Sequence, residues 1–520
     1  MKKIINIIAA LSSLVLVSSC NGWLDRPSLG VMDEPNFFES NDAALGSVFK
    51  CYYSLHDVYG YEVPRFAIGD VCTDDAEKGG SDSGDNAPIN DMAYGYAISS
   101  NQVLNNFWAQ MYAGIGNCNI CMDNFPIYNL VDKDGYPVTE EVKARYIAEV
   151  RFLRAFMYFE LAKAFGGVPL VTTTLAPADA RSIVRATEDE TLKFIVDELN
   201  AAIESGALPT KAALPAAELG RVTLEAAWAL KGKVEMFWAK NDESHYAEAL
   251  ASLTNVIGKY SLEPKFQSLW LEDNYYSDEA IFVDIRGDDP GQNIYGSFIP
   301  VFCSPRSTGA YGFDQPTQDL VDEFEEGDPR LLFTIVQPGD KFPAGSKAEV
   351  LDFSTYPNTG YHSRKAFVVK SRRGLGWGDD PFSYMHIRYA DILLLYAEAL
   401  VRTGGDKDEA VRCINDVRTR ANDSRGEDVE AVERVLIIPN IPLKMVSASD
   451  DLLAAIKHER RVELAMEFNR YYDLKRWGEY VDRMMDYRPG SFQKGKSEFF
   501  PIPQVEIDRT GGSIVQNPGY

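Results

Sequence analysis

Positive charge is scarce in this sequence. Its 520 residues carry 52 lysine and arginine side chains against 77 aspartate and glutamate side chains, which gives a formal charge of −25. No long run of Lys or Arg offsets this acidity locally. Because so acidic a chain repels phosphate backbones, we expect no nucleic-acid partner.

Cysteine and long apolar runs are also few. The seven cysteines are too widely spaced for a dense disulfide scaffold. Cys118 and Cys121 form a lone CxxC, but a zinc site would need a second pair or nearby histidines, and the five histidines are scattered. We therefore interpret this pair as small buried residues on one helix face, and predict no metal or other cofactor.

The first residues have the pattern of a secretory signal. Lys2 and Lys3 precede a mostly apolar stretch over 4–17, and two serines then precede Cys20. This ending resembles a bacterial lipobox, although an ordinary signal with a chance cysteine is the alternative. We predict a signal peptide over 1–19 and lipidation of Cys20. No later run of about 18 apolar residues follows, so the lipid would be the only membrane anchor.

Helical periodicity marks most of the remaining chain. Apolar residues recur at intervals of three and four from Tyr146, and Gly166 supplies a stop. The stretches 224–257 and 391–421 each contain an apolar helix, a polar turn and a second helix that opens with Glu-Ala. Such pairs resemble tetratricopeptide repeats.

The stretch 263–385 differs in texture, because Gly, Pro, Asn, Asp and aromatic residues surround short apolar runs. This composition predicts loops with short strands. We therefore predict an all-α fold, a superhelix of tetratricopeptide-like helix pairs with an irregular, loop-rich ligand-binding region. The predicted parts are a lipid-anchored tether over 20–40, an N-terminal helical part over 41–262, the irregular region over 263–385 and a C-terminal helical part over 386–520.

Four landmarks, in order, match one known family. They are the lipobox followed by Trp-Leu-Asp at 23–25, RFLRAFMYFELAKAFGGVPLV at 151–171, IRYADILLLYAEAL at 387–400, and ERRVELAMEFNRYYDLKRWG at 459–478. The ending FFPIPQVEID and QNPGY closes the match. The chain resembles the SusD/RagB family of outer-membrane lipoproteins. It departs at Phe468, where the family often has glycine.

The resemblance implies a function without catalysis. Members capture an oligosaccharide or another nutrient at the outer membrane, and a TonB-dependent transporter of the SusC type is the implied partner. For this chain we expect lipid anchoring at the outer membrane, with exposure at the cell surface. A surface glycoside hydrolase, or a helical scaffold with no small ligand, would be the alternatives.

Sugar binding needs an aromatic ring against the apolar face of the sugar and polar side chains for its hydroxyls. Relatives place ligand contacts in two regions that correspond to the Gly- and Asp-rich stretch after Asp70 and to the irregular region. Both regions supply such side chains. The ligand-binding candidates are Asp75, Asp82, Tyr94, Tyr275, Asn293, Tyr295, Arg306, Tyr311 and Trp377.

Charged residues near the C-terminus have a structural interpretation. Arg460 interrupts an apolar stripe, and Glu463 and Glu467 follow it on neighbouring faces. We predict a salt-bridge network in which these carboxylates offset a partly buried Arg460. The segment 490–497 fits the Walker A pattern, but it lacks a preceding strand and a following helix, so we do not predict nucleotide binding.

Overall fold

The computed structural model describes residues 38, 41–132, 134, 136–176, 179–271, 274–287, 296–344, 347–350, 359–368, 378–426 and 432–520. The predicted signal peptide, Cys20 and nearly all of the tether lie outside these residues. Asn293, Tyr295 and Trp377 also lie outside them.

Helices dominate the described part of the chain, which contains seventeen α-helices. In chain order they are α1 (Asn41–Tyr53), α2 (Val63–Phe66), α3 (Ala87–Ala93), α4 (Gln102–Asn124), α5 (Glu140–Phe165), α6 (Glu188–Glu204), α7 (Leu224–Trp238), α8 (His245–Thr254), α9 (Ile299–Cys303), α10 (Gln318–Glu323), α11 (Arg330–Thr334), α12 (Tyr389–Arg402), α13 (Lys407–Asp423), α14 (Leu452–Glu463), α15 (Arg470–Arg476), α16 (Tyr480–Tyr487) and α17 (Gln504–Arg509).

The long helices pack in the order of the chain. Helix α4 packs on α5, α5 on α6, α6 on α7 and α7 on α8. Helix α8 then packs on α12, which pairs with α13 and so joins the C-terminal helices to the same stack. The predicted helical fold is confirmed, because each helix buries its apolar face against the next one.

Helix α5 shows how the sequence sets these elements. It begins six residues before the predicted start at Tyr146, because the Thr139 side chain caps it by accepting from Val142 N at 3.4 Å. It ends where Gly166 takes a positive φ of 74°, as glycine at a helix end readily does. Nearly every face from Tyr146 onward is buried, so neighbouring elements surround the helix.

Strands are short and pair only in twos within the described ranges. They are β1 (Ala76–Lys78), β2 (Ala280–Asp284), β3 (Asp314–Pro316), β4 (Ile335–Val336), β5 (Lys341–Ala344), β6 (Lys347–Val350), β7 (His362–Ser363) and β8 (Tyr384–Arg388). The antiparallel pairs are β1–β3, β2–β8, β4–β7 and β5–β6. The pair β1–β3 joins the N-terminal half to the irregular region.

The interior contains many ion pairs between fully buried side chains. Glu463 accepts from Arg388 at 2.7 Å and from Arg330 at 3.0 Å, and it also pairs with Arg420. Glu467 accepts from Arg388 at 2.7 Å. The guanidinium groups more than offset the burial that would raise the pKa of Glu463, so its pKa is lowered.

Arg460 does not pair with these two glutamates, which corrects the predicted arrangement. It is fully buried rather than partly buried, and it donates to Asp391 at 2.8 Å and to Asp473 at 3.0 Å. Glu463 and Glu467 lie together in the core, where both accept from Arg388, whereas Arg460 extends to α12 and α15. After α14 ends at Glu463, the backbone turns over 465–468.

Phe468, the position at which the chain departs from the family's usual glycine, lies in this turn. Its φ is 61°, a left-handed conformation that costs little for glycine but strains a bulky residue. The Phe468 ring stacks on Tyr384 at 5.2 Å between centroids and 16° between planes. Packing of the ring offsets part of the backbone strain.

The six cysteines that the structure describes are all buried and free. Cys118 and Cys121 both lie on α4, and Cys121 Sγ lies 4.0 Å from Cys51 Sγ. Within the described ranges, no group of three or more His, Cys, Asp or Glu side chains is arranged to hold a metal ion.

Candidate functional site

The strand pair β1–β3 brings two loops together. Lys78 at the end of β1 pairs with Asp314 at the start of β3. Because the strands are antiparallel, the loop after β1 and the segment before β3 leave this pair side by side. These two stretches, 79–86 and 306–313, form the surface that we call the loop site.

Close backbone contact fixes the base of the loop site. Gly79 N donates to Phe313 O at 3.1 Å. A Cβ on Gly79 would lie 1.9 Å from Gly312 O, so only glycine permits this approach. Backbone contacts alone therefore hold the two stretches in a fixed register.

Aspartate side chains order the loop and connect it to Arg306. Asp82 is exposed, and its Oδ1 accepts from Gly84 N at 2.8 Å and from Asp85 N at 3.0 Å. Asp85 Oδ2 accepts from Ser81 N at 2.9 Å and from Arg306 Nη1 at 3.1 Å. The ion pair ties the loop to the opposite segment, while 36% of the Arg306 side chain remains exposed.

Lys78 supports the loop from below. It is 2% exposed, and its Nζ donates to Asp82 O at 3.0 Å and lies 5.1 Å from the centroid of the Phe313 ring. Burial lowers the pKa of Lys78, and the charges of Asp85 and Asp82 oppose this change. The ammonium group thus holds the main chain of the loop against the aromatic core.

Aromatic rings form a continuous stack beside the loop. Tyr311 and Phe313 are nearly parallel, with centroids 5.2 Å apart and planes 8° apart. Phe302 stacks on Tyr311 at 5.7 Å, and Phe298 lies 6.3 Å from Phe302. Phe302 and Phe313 are buried, whereas Tyr311 and Phe298 are half-buried. The stack presents Tyr311 at the surface with little freedom to move.

The structure brings Asp82, Arg306 and Tyr311 together at the loop site. Tyr311 offers an aromatic face, Arg306 offers guanidinium donors, and the aspartate offers carboxylate acceptors. This combination matches the surface of a sugar ring, which has an apolar face and a rim of hydroxyl groups.

Asp75 lies elsewhere, which corrects its inclusion among the ligand contacts. It is 1% exposed, and its Oδ1 accepts from Arg461 Nε at 2.8 Å. The adjacent Asp74 accepts from Arg470 and Arg483. The two aspartates turn inward because cationic side chains from the C-terminal helices neutralise them, and Asp75 presents no oxygen to a surface ligand.

Tyr94 lies on the other side of β1. It stacks on the exposed Tyr96 at 6.4 Å and 19°, and the Arg488 guanidinium lies 5.1 Å from its ring centroid. Arg488 also pairs with Glu77 at 3.2 Å. Because Glu77 and Lys78 are consecutive in a strand, they face opposite sides, and Tyr94 belongs to the side away from Lys78.

Tyr275 is 37% exposed and lies on a different part of the surface. Its neighbour Tyr276 lies 5.8 Å from Lys211 Nζ, beside the segment that leads into α7. The candidates Asn293, Tyr295 and Trp377 lie outside the described residues. Close to them in the chain, Gly296 N donates to Asp379 Oδ1 at 2.8 Å, beside Phe298 of the aromatic stack.

Sequence reasoning missed Asp85 in the loop site, and it also missed Lys78 and Phe298, which lie beside it. Asp85 lies in an Asp-rich stretch, and nothing in its spacing distinguishes it from Asp82. Lys78 precedes that stretch and resembles an ordinary surface lysine. Only the pairing of β1 with β3 shows that both contact the irregular region.

Comparisons with known proteins identify the family. Residues 278–520 match the model of the SusD family, and residues 50–235 match a SusD-like family model described as starch-binding associating with outer membrane. Together the two matches span most of the chain. It belongs to the SusD family. SusD-like protein P2 from Formosa agariphila is 25% identical over 531 residues, which cover 98% of each chain.

Solved SusD-family structures share the fold. A protein described as a laminarin binding SusD-like protein is 28% identical, with a TM-score of 0.73 over 92% of this chain and 98% of that one. Surface glycan-binding protein A from Bacteroides fluxus is 26% identical, with a TM-score of 0.75 over 92% and 99% of the two chains.

Among the described residues, no helix combines the length and the apolar composition that crossing a membrane requires.

Proposed function

We propose that this SusD-family protein is a glycan-binding lipoprotein of the outer membrane. It captures an oligosaccharide at the loop site and delivers it to a SusC-like TonB-dependent transporter. The observation that carries the proposal is the half-buried edge of the aromatic stack at Tyr311, with Arg306 and Asp82 in the same site. In this proposal Cys20 carries the lipid and holds the helical domain at the cell surface.

The chemistry of the loop site favours binding over hydrolysis. A glycosidase needs one carboxyl group that stays protonated and a second one at a defined separation across the sugar. Asp85 is engaged in its ion pair with Arg306. Asp82 Oδ1 is engaged by the backbone amides of Gly84 and Asp85. We therefore propose that the ligand leaves the site unchanged.

Binding is tested by titrating the purified chain without its first 37 residues with soluble laminarin and starch fragments in a calorimeter. Laminarin is chosen because one related structure is of a laminarin binding protein, and starch because one matching family is described as starch-binding. We expect saturable binding and no release of reducing ends during long incubation. Tyr311→Ala should weaken binding at least about tenfold, since one stacking face is lost.

Tyr136→Ala is the matched control, because Tyr136 is an exposed tyrosine, 68% accessible, that precedes α5 and is not part of the loop site. This variant should bind as the wild type does. Equal losses in both variants, or no binding of any tested glycan, would contradict the proposal. Reducing ends that accumulate in proportion to protein would favour a hydrolase instead.

A further inference from the structure

A second pocket lies between α1 and β2, apart from the loop site. Its volume is about 210 Å³. None of its lining residues belongs to 79–86 or 306–313. Phe49, His56, Phe282 and His386 are among its lining residues. We call this cavity the α1–β2 pocket.

The tautomer of His386 follows from its partner. Arg65 Nη1 lies 2.6 Å from His386 Nδ1, and because a guanidinium nitrogen can only donate, Nδ1 accepts. Burial and the charge of Arg65 hold the pKa of His386 well below its usual range, so the ring is neutral. A neutral ring that accepts at Nδ1 must carry its hydrogen on Nε2.

That Nε2–H group has no acceptor within the part of the chain that the structure describes. His386 is 6% exposed and is one of the residues that line the α1–β2 pocket. Its Nδ1 side faces Tyr61 and Arg65, so Nε2 lies on the other side of the ring. A buried donor without a partner costs free energy unless a ligand or solvent satisfies it.

His56 contributes a second buried nitrogen to the same pocket. Its Nε2 lies 2.6 Å from Asp284 Oδ1. Because an ionised carboxylate only accepts, Nε2 donates in this pair. Its other nitrogen, Nδ1, is buried and has no partner among the described residues. A hydroxyl group can satisfy this nitrogen in either protonation state, because a hydroxyl both donates and accepts.

We propose that the α1–β2 pocket is a second saccharide site, which takes one sugar ring between aromatic walls and ties its hydroxyl groups to His386 Nε2 and His56 Nδ1. The ring of Phe49 forms the mouth and is 45% exposed. Phe282 forms the inner wall and stacks on His386 with centroids 4.9 Å apart.

The size and lining of the pocket fit this ligand class. At ~30 Å³ for each water in the liquid, 210 Å³ exceeds the space that one bridging water needs and admits a ring of about six atoms with its hydroxyls. The walls are mainly apolar, and the polar side chains among them include His56 and His386. The choice of a saccharide among hydroxyl-bearing ligands rests on the proposed function, whereas the pocket does not share residues with the loop site.

The test uses selective ¹⁵N labelling of histidine, which is practical because the chain has only five histidines. Long-range proton–nitrogen spectra report the tautomer and the environment of each ring. The chain is titrated with glucose, galactose, mannose and xylose at millimolar concentrations. We expect the free protein to show His386 as the Nε2–H tautomer. At least one sugar should shift the resonances of His386 and His56 saturably and leave His245, on α8, unchanged.

Variants assign the response to the pocket. Phe49→Ala removes a half-exposed wall and should weaken the apparent affinity about tenfold. Tyr136→Ala, the exposed control, should not change it. Tyr311→Ala reports on the loop site and should leave the shifts of His386 and His56 intact.

Two results would overturn the proposal: no tested sugar shifts His386 or His56, or the shifts persist in Phe49→Ala but vanish in Tyr311→Ala. The second result would assign all binding to the loop site. Failure of the proposed function is separate, since absent binding of laminarin and starch fragments would leave a saturable His386 response unaffected.

Discussion

Arg306 Nη1 donates to Asp85 Oδ2 at 3.1 Å and thereby ties the loop after β1 to the segment before β3. The two residues are 221 positions apart in the chain. The pair holds the loop beside the aromatic stack, while 36% of the Arg306 side chain remains exposed. One side chain therefore orders the loop site and, in the proposed function, also supplies hydrogen bonds to the glycan.

We expect Arg306→Ala to weaken glycan binding with little loss of fold stability. Loss of one charged hydrogen bond to a ligand corresponds to about 1.5 kcal/mol, or about tenfold in Kd. The half-exposed ion pair with Asp85 contributes no more than about 1 kcal/mol to folding. Calorimetric titration with a bound glycan measures the first effect, and thermal unfolding measures the second.

Arg412→Ala is the control for this substitution. Arg412 pairs with Glu409 and Asp416 on the exposed face of α13, and 47% of its side chain is accessible. Its removal should leave glycan affinity unchanged. If Arg306→Ala bound glycans as tightly as wild type, the loop site would not be the binding surface.

Periodicity predicts most of the helical fold but little of the loop site. Helix α5 could be located because its apolar pattern and the glycine at 166 act within one stretch of chain. The pairing of Asp85 with Arg306 has no local signal, since it arises from the strand register across 221 positions. The prediction of Asp75 as a ligand contact failed for the same reason. Its sequence neighbours are typical of a surface loop, but the side chain is buried in an ion pair with the distant Arg461.

Glu463→Gln should destabilise the fold strongly. The carboxylate faces the guanidinium groups of Arg330, Arg388 and Arg420 in a fully buried position. Removing its charge leaves these cations without one of their partners, and breaking a buried pair in this way costs about 3–5 kcal/mol. Urea denaturation followed by circular dichroism measures the change in the free energy of unfolding.

Glu433→Gln provides the contrast, because Glu433 pairs with Lys341 at the surface and its side chain is 74% exposed. We expect a change below about 0.5 kcal/mol. Similar effects of the two substitutions would mean that the buried network contributes no more than a surface pair.

Cys20→Ala should abolish lipidation and release the mature protein from the membrane. A lipid chain anchors through the burial of its methylene groups, at about 0.8 kcal/mol for each one, and no other anchor is predicted in the sequence. Radiolabelled palmitate and membrane fractionation measure the two effects. Palmitate on the Cys20→Ala protein, or an unlabelled wild type, would contradict the predicted lipobox.

Stability should fall as pH rises from neutral to mildly alkaline, because two aspartates are buried together. Asp70 and Asp314 are both 0% exposed, and burial raises the pKa of Asp314 by more than a hydrogen bond with the Cys303 thiol lowers it. Burial raises the pKa of Asp314 to about 8, and the charge of Asp75 adds to this rise. Burial also raises the pKa of Asp70, followed by the charges of Asp314 and Asp75.

The direction in which stability changes with pH follows from proton linkage. A carboxyl whose pKa is higher in the folded protein than in the unfolded chain binds more protons when folded, so its contribution is complete at low pH. That contribution is lost as pH passes through the folded value near 8. Thermal unfolding between about pH 6 and about pH 9 should therefore give a lower Tm at the alkaline end.

The substitution Asp314→Asn distinguishes the effect of this aspartate pair on Tm from the effects of other titrating groups. Its amide stays neutral throughout, so the decline in Tm with pH should be smaller than in the wild type. His458 titrates in the same window, since hydrogen bonds from its ring to Glu323 and Glu325 overcome burial and raise its pKa to about 9. Its contribution is present in both proteins and cancels in the comparison. Parallel curves for wild type and Asp314→Asn would show that Asp314 does not titrate in the folded protein across this range.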